Sequence, residues 1–327
     1  MSDKIFRFGL MGAGGIATRF CTAVKQIEGC EVAAISSKSR ERAEKFSAEY
    51  SVPRAFDSYV RMLDEVRPDC VYIATTPDSH FALTKLCLEA GFPVLCEKAM
   101  FVNSEQANEA FSLSERKGLF SMEALWSRFL PANRKAKEWI DSGRIGDPVH
   151  LDIAVGFVAP PDPEARYMSR KLCGGVSTDV TVYAYELARY YFDLPVVSTD
   201  IHAVRASTGV DLTNVITLGF EGGAFANLVT SFAAPLRERA VIFGTKGSIL
   251  VPFPHFASEA FLYEGNSEKP CESFRDDGPD GFTHEIRETI RCVGEGKVES
   301  DTVPHRLTAD CAAVFDAIYQ QIGPRKE

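Results

Sequence analysis

The sequence predicts two domains: an α/β domain with a doubly wound parallel sheet, followed by an α+β domain with a large, mostly antiparallel open sheet. The chain has 327 residues, more than one ordinary core requires. Its first third alternates short β-rich apolar runs with amphipathic segments of helical length, which is typical of βαβ units. Beyond about residue 124, long runs of alternating polarity indicate antiparallel strands with one wet face. We place the boundary between residues 1–124 and 125–327.

The elements of the first domain follow from hydrophobic periodicity. Short apolar runs predict strands, and apolar residues at every third or fourth position predict the helices between them. Gly91 and Gly118 stand where two of these helices end. The predicted strands are Phe6 to Met11, Glu31 to Ser36, Cys70 to Thr75, Pro93 to Glu97 and Leu119 to Met122, and the predicted helices are Ile16 to Gln26, Arg40 to Tyr50, Ser79 to Ala90 and Ser104 to Lys117.

The second domain is predicted to begin with a helix and to continue with a sheet that is joined by glycine-containing turns. The turns are Glu221 to Gly223 and Lys246 to Gly247. The predicted strands are Val149 to Phe157, Thr199 to Ala206, Asn214 to Phe220 and Ala224 to Phe232, and the predicted helices are Ala132 to Asp141, Val180 to Phe192, Thr283 to Gly294 and Leu307 to Ile322.

Composition excludes several classes of function. The net charge of -9 disfavours a surface for nucleic acid or anionic membranes, because both need an excess of Lys and Arg. The nine cysteines are scattered without C-x-x-C spacing, so we expect reduced thiols and no metal site. We see no signal peptide and no apolar run long enough to span a bilayer. We therefore expect a cytoplasmic protein.

A glycine-rich turn follows the first strand and opens the first helix. Gly12 to Ala17 fits G-x-G-x-x-G/A, in which Gly12 permits the tight turn, Gly14 lets a pyrophosphate approach, and Ala17 allows close packing of helix on strand. The helix N-terminus then presents free N–H groups, with Gly15 and Ile16 in its first turn. A glycine turn without a ligand is the alternative, but the placement inside a βαβ unit favours a dinucleotide-binding Rossmann domain.

The end of the second strand favours NADP over NAD. Folds that prefer NAD usually carry Asp or Glu here to bind the ribose hydroxyls, whereas this chain has Ser36 to Arg42 with no acid before Glu41. Ser37, Lys38 and Arg42 are potential donors to a ribose phosphate. The alternative is that these residues are simply solvated at a helix start, and NAD stays possible.

A lysine follows the predicted strand Pro93 to Glu97. Glu97-Lys98 lies at the carboxyl edge of the sheet, where such folds bind ligands. Lys98 is placed to bond a substrate hydroxyl and to stabilise negative charge on its oxygen. Taken alone, the dipeptide also fits a solvated strand end.

Five segments in this order together resemble the Gfo/Idh/MocA oxidoreductase family. Within the family, the segment M-E-A-x-W-x-R-F and the later Tyr are similar to the branch of dimeric dihydrodiol dehydrogenase and NADP-dependent D-xylose dehydrogenase. The likeness is clear to about residue 185 and thinner beyond. The segments are Gly12 to Ala17, Ala74 to His80, Glu97-Lys98, Met122 to Phe129 and Gly174 to Tyr183.

The resemblance implies a Rossmann domain in residues 1–124 and a substrate-binding and oligomerisation domain in residues 125–327. It implies that Lys98 is the catalytic lysine and that Asp179 and Tyr183 are the acid and the tyrosine of the second-domain motif. We assign Tyr183 as proton acceptor, Lys98 as its electrostatic partner and Asp179 as the residue that orients the hydroxyl, although Lys98 and Tyr183 could exchange roles. On a helix from about Val180, Asp179 and Tyr183 would share one face.

The predicted cofactor contacts combine these arguments with the resemblance. His80 is as well explained by a structural role in its loop, and Trp126 equally by packing at the domain junction. The predicted contacts are Gly12, Gly14, Gly15, Ile16, Ser37, Lys38, Arg42, Thr75, Thr76, Pro77, His80, Glu97, Lys98, Trp126 and Arg128.

Three positions depart from the family pattern. Ala99 replaces the usual proline after Glu-Lys, Thr76 to Asp78 is an unusual version of its loop, and Ser177-Thr178 replaces an apolar pair before Asp179. A proline would fix the chain after Lys98, so we expect looser placement of the lysine here.

The sequence therefore predicts an NADP-dependent dehydrogenase that transfers a hydride between a secondary alcohol and the nicotinamide. The branch implies D-xylose, another aldose or a trans-dihydrodiol as substrate, in each case a small neutral polyol or diol, and a homodimer or homotetramer formed through the open sheet face. The alternatives are an NAD-dependent inositol or other cyclitol or sugar dehydrogenase, and a non-catalytic NADP-binding sensor.

Overall fold

The computed structural model describes residues 5–278 and 281–323, which form two compact units. The first unit comprises Met1–Leu125 with Pro279–Ala309, and the second comprises Trp126–Gly278 with Asp310–Glu327. One unit contains a six-stranded sheet and the other an eight-stranded sheet. The predicted fold class is confirmed.

The first unit is built on a parallel sheet with strand order β3-β2-β1-β4-β5-β6. This is the doubly wound order of a Rossmann fold, in which β2 and β3 lie on one side of β1 and β4 to β6 lie on the other. Helices α1 to α5 connect the strands. The strands are β1 (Phe6–Met11), β2 (Cys30–Ser36), β3 (Ala55–Phe56), β4 (Cys70–Ile73), β5 (Val94–Glu97) and β6 (Ser121–Ala124), and the helices are α1 (Gly15–Val24), α2 (Arg40–Tyr50), α3 (Tyr59–Val66), α4 (Pro77–Glu89) and α5 (Ser104–Lys117).

The sequence patterns located five of these strands to within a few residues, but they missed β3 and α3. Strand β3 has only two residues, too few for a periodic signal. Central strands β4 and β5 are buried along their whole length, which explains their continuous apolar runs. Phe20 of α1 stacks on Tyr72 of β4 with ring centroids 3.7 Å apart, so the first helix packs directly on the sheet.

A late segment of the chain completes the first unit. The domain boundary predicted from the sequence puts residues 281–309 in the second domain, whereas the structure places them in the first unit. The guanidinium of Arg19 lies 5.2 Å from the ring of Phe282, and the N–H of Ser121 donates to the carbonyl of Val298 over 3.0 Å. Helical periodicity reveals an apolar face but not which core will cover it. The segment contains α8 (Gly281–Gly294) and the start of α9 (His305–Ile322).

The second unit is built on an eight-stranded sheet with order β14-β13-β12-β11-β7-β10-β9-β8. Its neighbouring strands are antiparallel except β7 and β10, which run parallel. The sequence patterns missed β11 to β14. The strands are β7 (Pro148–Gly156), β8 (Val196–Arg205), β9 (Asp211–Phe220), β10 (Phe225–Ser231), β11 (Arg239–Gly244), β12 (Gly247–Pro252), β13 (Glu259–Glu264) and β14 (Glu272–Arg275).

One face of this sheet is covered and the other is open. Alternate residues of β9 and β10, such as Ile216 and Leu228, are fully buried, whereas Val215 and Phe225 are about 40% exposed. Helices α6 (Pro131–Asp141) and α7 (Val182–Tyr191) belong to this unit. In the described parts of the chain, we find no helix with the length and apolar character needed to cross a membrane.

Candidate active site

The glycine-rich turn after β1 has the backbone that its sequence predicts. Gly12 adopts φ +106°, and a Cβ at this position would lie 2.6 Å from the carbonyl oxygen of Ala74. Only glycine fits there. A Cβ on Gly15 would meet nothing within 4 Å, so this side of the turn is open. The turn is therefore pressed against the loop after β4 on one side and leaves space on the other.

Helix α1 begins directly at this turn. Its cap residue, Gly14, supplies no side-chain acceptor, and its first turn, which includes Ile16, contains no acidic residue. The N–H groups of the first turn thus have no side-chain cap, and the positive end of the helix dipole favours an anion. The cradle fits the pyrophosphate of a dinucleotide.

The segment after β2 places donors beside the glycine turn. Ser37 is buried, and its hydroxyl oxygen accepts the N–H of Ser39 over 3.3 Å. Lys38 is exposed. The Nη2 atom of Arg42, on α2, donates to the carbonyl of Ala13 over 3.2 Å. The structure therefore brings Arg42 and the glycine turn together.

Tyr59 is a neighbour of this group that the sequence analysis did not identify. Burial raises the pKa of its phenol, while the positive charge of Arg42 and a hydrogen bond with the backbone of Lys38 act in the opposite direction. Tyr59 is the first residue of α3, the helix that the sequence patterns missed.

The loop after β4 contains the predicted residues Thr75, Thr76 and Pro77. Thr76 is the cap residue of α4, and Pro77 occupies the first position of the helix, where a missing N–H costs nothing. The hydroxyl of Ser79 donates to that of Thr75 over 2.8 Å. Helix α4 starts two residues earlier than the sequence predicts because Pro77 is a helix-starting residue.

His80 connects this loop, the Thr75 loop, to the segment that follows β5 and contains Lys98, the Lys98 loop. Its Nδ1 lies 2.9 Å from the carbonyl oxygen of Ala99, and its Nε2 lies 3.1 Å from that of Thr75. The ring is fully buried. Burial lowers the pKa of His80, and the charge of Lys98 acts in the same direction, against the two carbonyl contacts. A neutral ring carries one N–H, so it donates to one of the two carbonyls at a time.

Lys98 follows β5 at the carboxyl edge of the sheet and is half-buried. Glu97 is buried and accepts a short hydrogen bond from the hydroxyl of Tyr72, whose pKa is raised by burial and by the negative charge of Glu97. The peptide bond between Lys98 and Ala99 is cis.

A buried carboxylate holds the chain just beyond Lys98. Glu123 of β6 accepts the N–H of Met100 on Oε1 over 2.8 Å and the hydroxyl of Thr308 on Oε2 over 2.7 Å. With His80 at Ala99, two side chains thus fix the two residues that follow the lysine. The glycine turn, the Thr75 loop and the Lys98 loop meet at one edge of the first unit.

The second-domain motif folds differently from the sequence prediction. Ser177–Thr181 forms a π-helical turn, in which the N–H of Val182 donates to the carbonyl of Ser177 five residues earlier, and α7 begins only at Val182. The prediction of one α-helix from Val180 is therefore corrected. Asp179 lies in the π-helical turn and pairs with Arg166 over 3.2 Å. Such turns often occur at functional sites.

Tyr183 is buried and lies against aromatic rings from another loop. Its ring centroid is 5.2 Å from that of His255, which is 4.3 Å from Phe256. Phe256 meets Trp126 edge to face at 5.0 Å. Sequence patterns do not connect His255 and Phe256 with Tyr183, although the proline-rich loop in which they lie carries a cluster of aromatic residues and a histidine.

Arg128, a predicted cofactor contact, forms a buried ion pair within the second unit. Its Nε donates to Oε2 of Glu186 over 2.9 Å, and its Nη2 donates to the carbonyl of Glu186 over 2.7 Å. Glu186 also accepts a short hydrogen bond from the hydroxyl of Ser127. Because Glu186 lies on α7 together with Tyr183, this pair holds the helix that carries the tyrosine.

Two family models match the two halves of the chain. The description "Oxidoreductase family, NAD-binding Rossmann fold" applies to residues 6–124, and "GFO/IDH/MocA C-terminal domain" applies to residues 133–250. The chain belongs to the Gfo/Idh/MocA oxidoreductase family. It is therefore an oxidoreductase with an NAD(P)-binding Rossmann domain, as the sequence predicts.

Curated relatives within the family are similar along nearly the whole chain. Trans-1,2-dihydrobenzene-1,2-diol dehydrogenase from Danio rerio is 28% identical over 331 residues, with 97% of each chain covered. The enzymes of that name from Mus musculus and Homo sapiens are 29% and 26% identical, again with 97% of each chain covered.

Solved structures share the fold of this Gfo/Idh/MocA member. Aldose-aldose oxidoreductase from Caulobacter crescentus, in complex with glycerol, is 23% identical with a TM-score of 0.88 and covers 97% of each chain. A 3-ketoreductase from Actinomadura kijaniata, in complex with NADP and TDP-benzene, is 22% identical with a TM-score of 0.84 and covers 96% of this chain and 97% of the other. At these identities the likeness establishes the fold.

Proposed function

We propose that this member of the Gfo/Idh/MocA family is an NADP-dependent dehydrogenase that oxidises a secondary alcohol of a cyclic trans-diol or a sugar. The observation that carries the proposal is the meeting of the glycine turn, the Thr75 loop and the Lys98 loop at one sheet edge. A dinucleotide cradle and a lysine at the same edge suit hydride transfer at the nicotinamide.

The open glycine turn and the first turn of α1 would bind the pyrophosphate, and Ser37, Lys38 and Arg42 would bind the ribose phosphate. The bond from Arg42 to Ala13 supports this assignment because it holds a guanidinium beside the cradle. Of the structural relatives, one is described with NADP and another with NAD+. The bound nicotinamide would supply the hydride acceptor.

Three side chains are assigned to the alcohol. Tyr183 would take the hydroxyl proton as the carbon loses its hydride, Lys98 would stabilise the developing negative charge on the oxygen, and Asp179 would orient a neighbouring hydroxyl. Exchange of roles between Lys98 and Tyr183 is the alternative. The burial of Tyr183 supports a proton transfer that is shielded from water.

The aromatic row beside Tyr183 favours a trans-dihydrodiol over an aldose. His255 lies against the tyrosine, Phe256 and Trp126 continue the row, and Phe253 and Phe256 are 59% and 51% exposed. Phe253 and Phe256 also line a surface pocket with Pro252, Ser258 and Glu259. An unsaturated ring gains more from such faces than a fully hydroxylated sugar. The curated relatives carry the name of a dihydrodiol dehydrogenase.

The test is reduction of NADP and of NAD, followed at 340 nm, against trans-dihydrodiols, D-xylose and other aldoses, and inositols. We expect turnover with NADP and a trans-dihydrodiol. Turnover restricted to inositols with NAD would support the alternative dehydrogenase, and NADP binding without turnover of any substrate would support a sensor.

Tyr183→Phe tests the proton acceptor. We expect turnover to fall about 100-fold or more while NADPH binding, followed by its fluorescence, stays unchanged. Tyr185→Phe is the matched control, because Tyr185 is also a buried phenol of α7 but its hydroxyl contacts Arg189. Equal activity of the two variants would refute the assignment.

Arg42→Ala tests the ribose-phosphate site. We expect KM for NADP to rise about tenfold with KM for NAD unchanged, since the lost contact is worth about 1.4 kcal/mol. Arg40→Ala is the control, because Arg40 lies on the same helix and pairs with Glu44. A parallel rise for both cofactors would contradict the role of Arg42.

We also propose a homo-oligomer formed through the open sheet face. His150 lies there between Phe225 and Phe243, with ring centroids 4.4 and 5.8 Å away, and both phenylalanines are about 40% exposed. Light scattering should show a dimer or tetramer that Phe225→Arg dissociates. Phe256→Arg, which changes an exposed phenylalanine outside this face, should leave the mass unchanged.

A further inference from the structure

We infer that Asp211 is a positioning residue that holds the π-helical turn bearing Asp179 and leading to Tyr183. The inference rests on the proposed function of those two residues. Asp211 is the first residue of β9, lies 34 residues from the turn in sequence, and is fully buried. It belongs to none of the motifs in the sequence.

The carboxylate of Asp211 accepts hydrogen bonds from four donors. On Oδ2 it accepts the backbone N–H of Ser177 over 2.7 Å, the hydroxyl of Ser177, and the side-chain amide of Asn214 over 2.7 Å. On Oδ1 it accepts the hydroxyl of Tyr319 over 2.7 Å. Four donors match the acceptor capacity of an ionised carboxylate, whereas an amide would present two hydrogens of its own to them.

This anchor reaches the catalytic residues through the backbone. Ser177 is the first residue of the π-helical turn, and its carbonyl accepts the N–H of Val182, the residue before Tyr183. Farther along the turn, the hydroxyl of Thr181 lies 2.6 Å from that of Thr230 and 3.3 Å from the amide nitrogen of Asn214. Both ends of the turn are therefore tied to the strands beneath.

The contacts of Asp211 explain why a glycine stands at position 175 and a serine at position 177. Gly175 adopts φ +117°, and a Cβ there would lie 2.1 Å from Oδ1 of Asp211, so the carboxylate excludes any larger residue. Ser177, one of the departures from the family pattern, supplies a hydroxyl and an N–H to the same oxygen. The polar pair Ser177-Thr178 thus fits a turn that is fixed by hydrogen bonds, with Thr178 donating to the carbonyl of Cys173 over 2.8 Å.

Asp211→Asn keeps the shape of the side chain and removes its charge. We expect kcat to fall about 100-fold while KM for NADP changes less than about twofold, because a displacement of about 1 Å costs that much in rate and the cofactor cradle lies in the other unit. A variant that is merely less stable but still folded at the assay temperature would keep its kcat.

A pair of tyrosine variants tests the same anchor with a smaller change. Tyr319→Phe removes one donor to Asp211, and Tyr191→Phe removes a buried hydroxyl that donates to Asn133, also over 2.7 Å. We expect kcat to fall roughly fivefold in Tyr319→Phe, as a weaker form of the same displacement, and to stay unchanged in Tyr191→Phe. Equal kcat values in these two variants would overturn the inference even if Asp211→Asn failed to fold.

The double variant Asp211→Asn with Tyr183→Phe separates positioning from general damage. If Asp211 acts by placing Tyr183, the aspartate substitution should cost much less in the Tyr183→Phe background than in the wild type. Full additivity would refute the inference. Failure of the proposed function has another signature, which is absence of wild-type turnover or full activity of Tyr183→Phe.

Discussion

The Lys98 loop and the π-helical turn are both fixed by a buried carboxylate, but their anchors come from different distances along the chain. Glu123 and His80 hold Met100 and Ala99 from 23 and 19 residues away, within one succession of βαβ units. Asp211 holds Ser177 from 34 residues away and is itself bonded by Tyr319, a further 108 residues on. Glu123 is likewise bonded by a distant residue, Thr308, 185 positions along the chain. The side chains that contact the first loop directly therefore come from neighbouring βαβ units, whereas the second loop is contacted by a strand that follows α7 and β8 in the chain.

The two units therefore fix the positions of their loops in different ways. Parallel strands place successive loops at one edge, so a residue at the end of β6 is already beside the loop after β5. In the second sheet, strands that are neighbours in space are not always neighbours in sequence, since β7 lies between β11 and β10. Its π-helical turn is instead held by side chains from other strands and helices.

The largest expected effect comes from a substitution of Lys98, the residue of the first unit that is proposed to contact the alcohol oxygen. Lys98→Met should reduce kcat about 1000-fold, because it removes both a donor and a positive charge at the alcohol oxygen. Asp179→Asn, the corresponding change in the second region, should reduce kcat only about tenfold, since the role proposed for Asp179 is to orient a hydroxyl. Steady-state kinetics with NADP measures both, and Lys85→Met, a change to an exposed lysine paired with Glu109, is the control. A larger loss from Asp179→Asn would reverse the assigned roles.

Next in size is loss of the buried ion pair that holds α7. Arg128→Met leaves the carboxylate of Glu186 buried without its partner and should reduce the free energy of unfolding by about 3–5 kcal/mol. Urea denaturation measures the loss, and Arg134→Met, at an exposed arginine of α6, should cost much less. NADPH affinity of the folded variant should stay unchanged, whereas weaker binding would support the cofactor contact predicted from the sequence.

A smaller loss is expected from the anchor of the Lys98 loop. Glu123→Leu leaves the N–H of Met100 and the hydroxyl of Thr308 without this acceptor and should cost about 1–3 kcal/mol in unfolding free energy, together with a lower kcat. Thr308→Val removes only one of the two contacts and should cost less. If Glu123→Leu unfolded at the wild-type urea concentration, the loop would be held by its strands alone.

The smallest expected effect is a pH dependence from His80. Burial holds its pKa below the ordinary value, so the unfolded chain takes up the proton first as the pH falls. The stability that comes from the neutral ring is complete above about pH 6.5 and is lost below it, by up to about 1.4 kcal/mol per pH unit. His80→Gln should therefore flatten the decline in unfolding free energy between pH 7 and 5. The control is His202→Gln, at an exposed histidine, which should keep the wild-type slope.

Much of the first region was predictable from the sequence. The glycine turn, the strand that ends in Glu97-Lys98 and the order of βαβ units were identified because local periodicity and turn chemistry determine them. The motif of Asp179 and Tyr183 was also identified, but as part of an ordinary α-helix. Spacing alone does not distinguish a π-helical turn from an α-helix, because the extra residue is accommodated by contacts with other strands.

Local sequence signals were enough to predict the fold class, the dinucleotide cradle and the residues that are proposed to react. Three features became visible in the folded chain alone: residues 281–309 complete the first unit, His255 lies against Tyr183 with Phe256 beside it, and Asp211 holds Ser177. The physical reason is the range of the forces involved. Backbone preferences and hydrophobic periodicity act over a few residues, so they can be recognised in a short stretch of sequence. A buried hydrogen bond, in contrast, joins partners whose separation in sequence is set by the path of the whole chain.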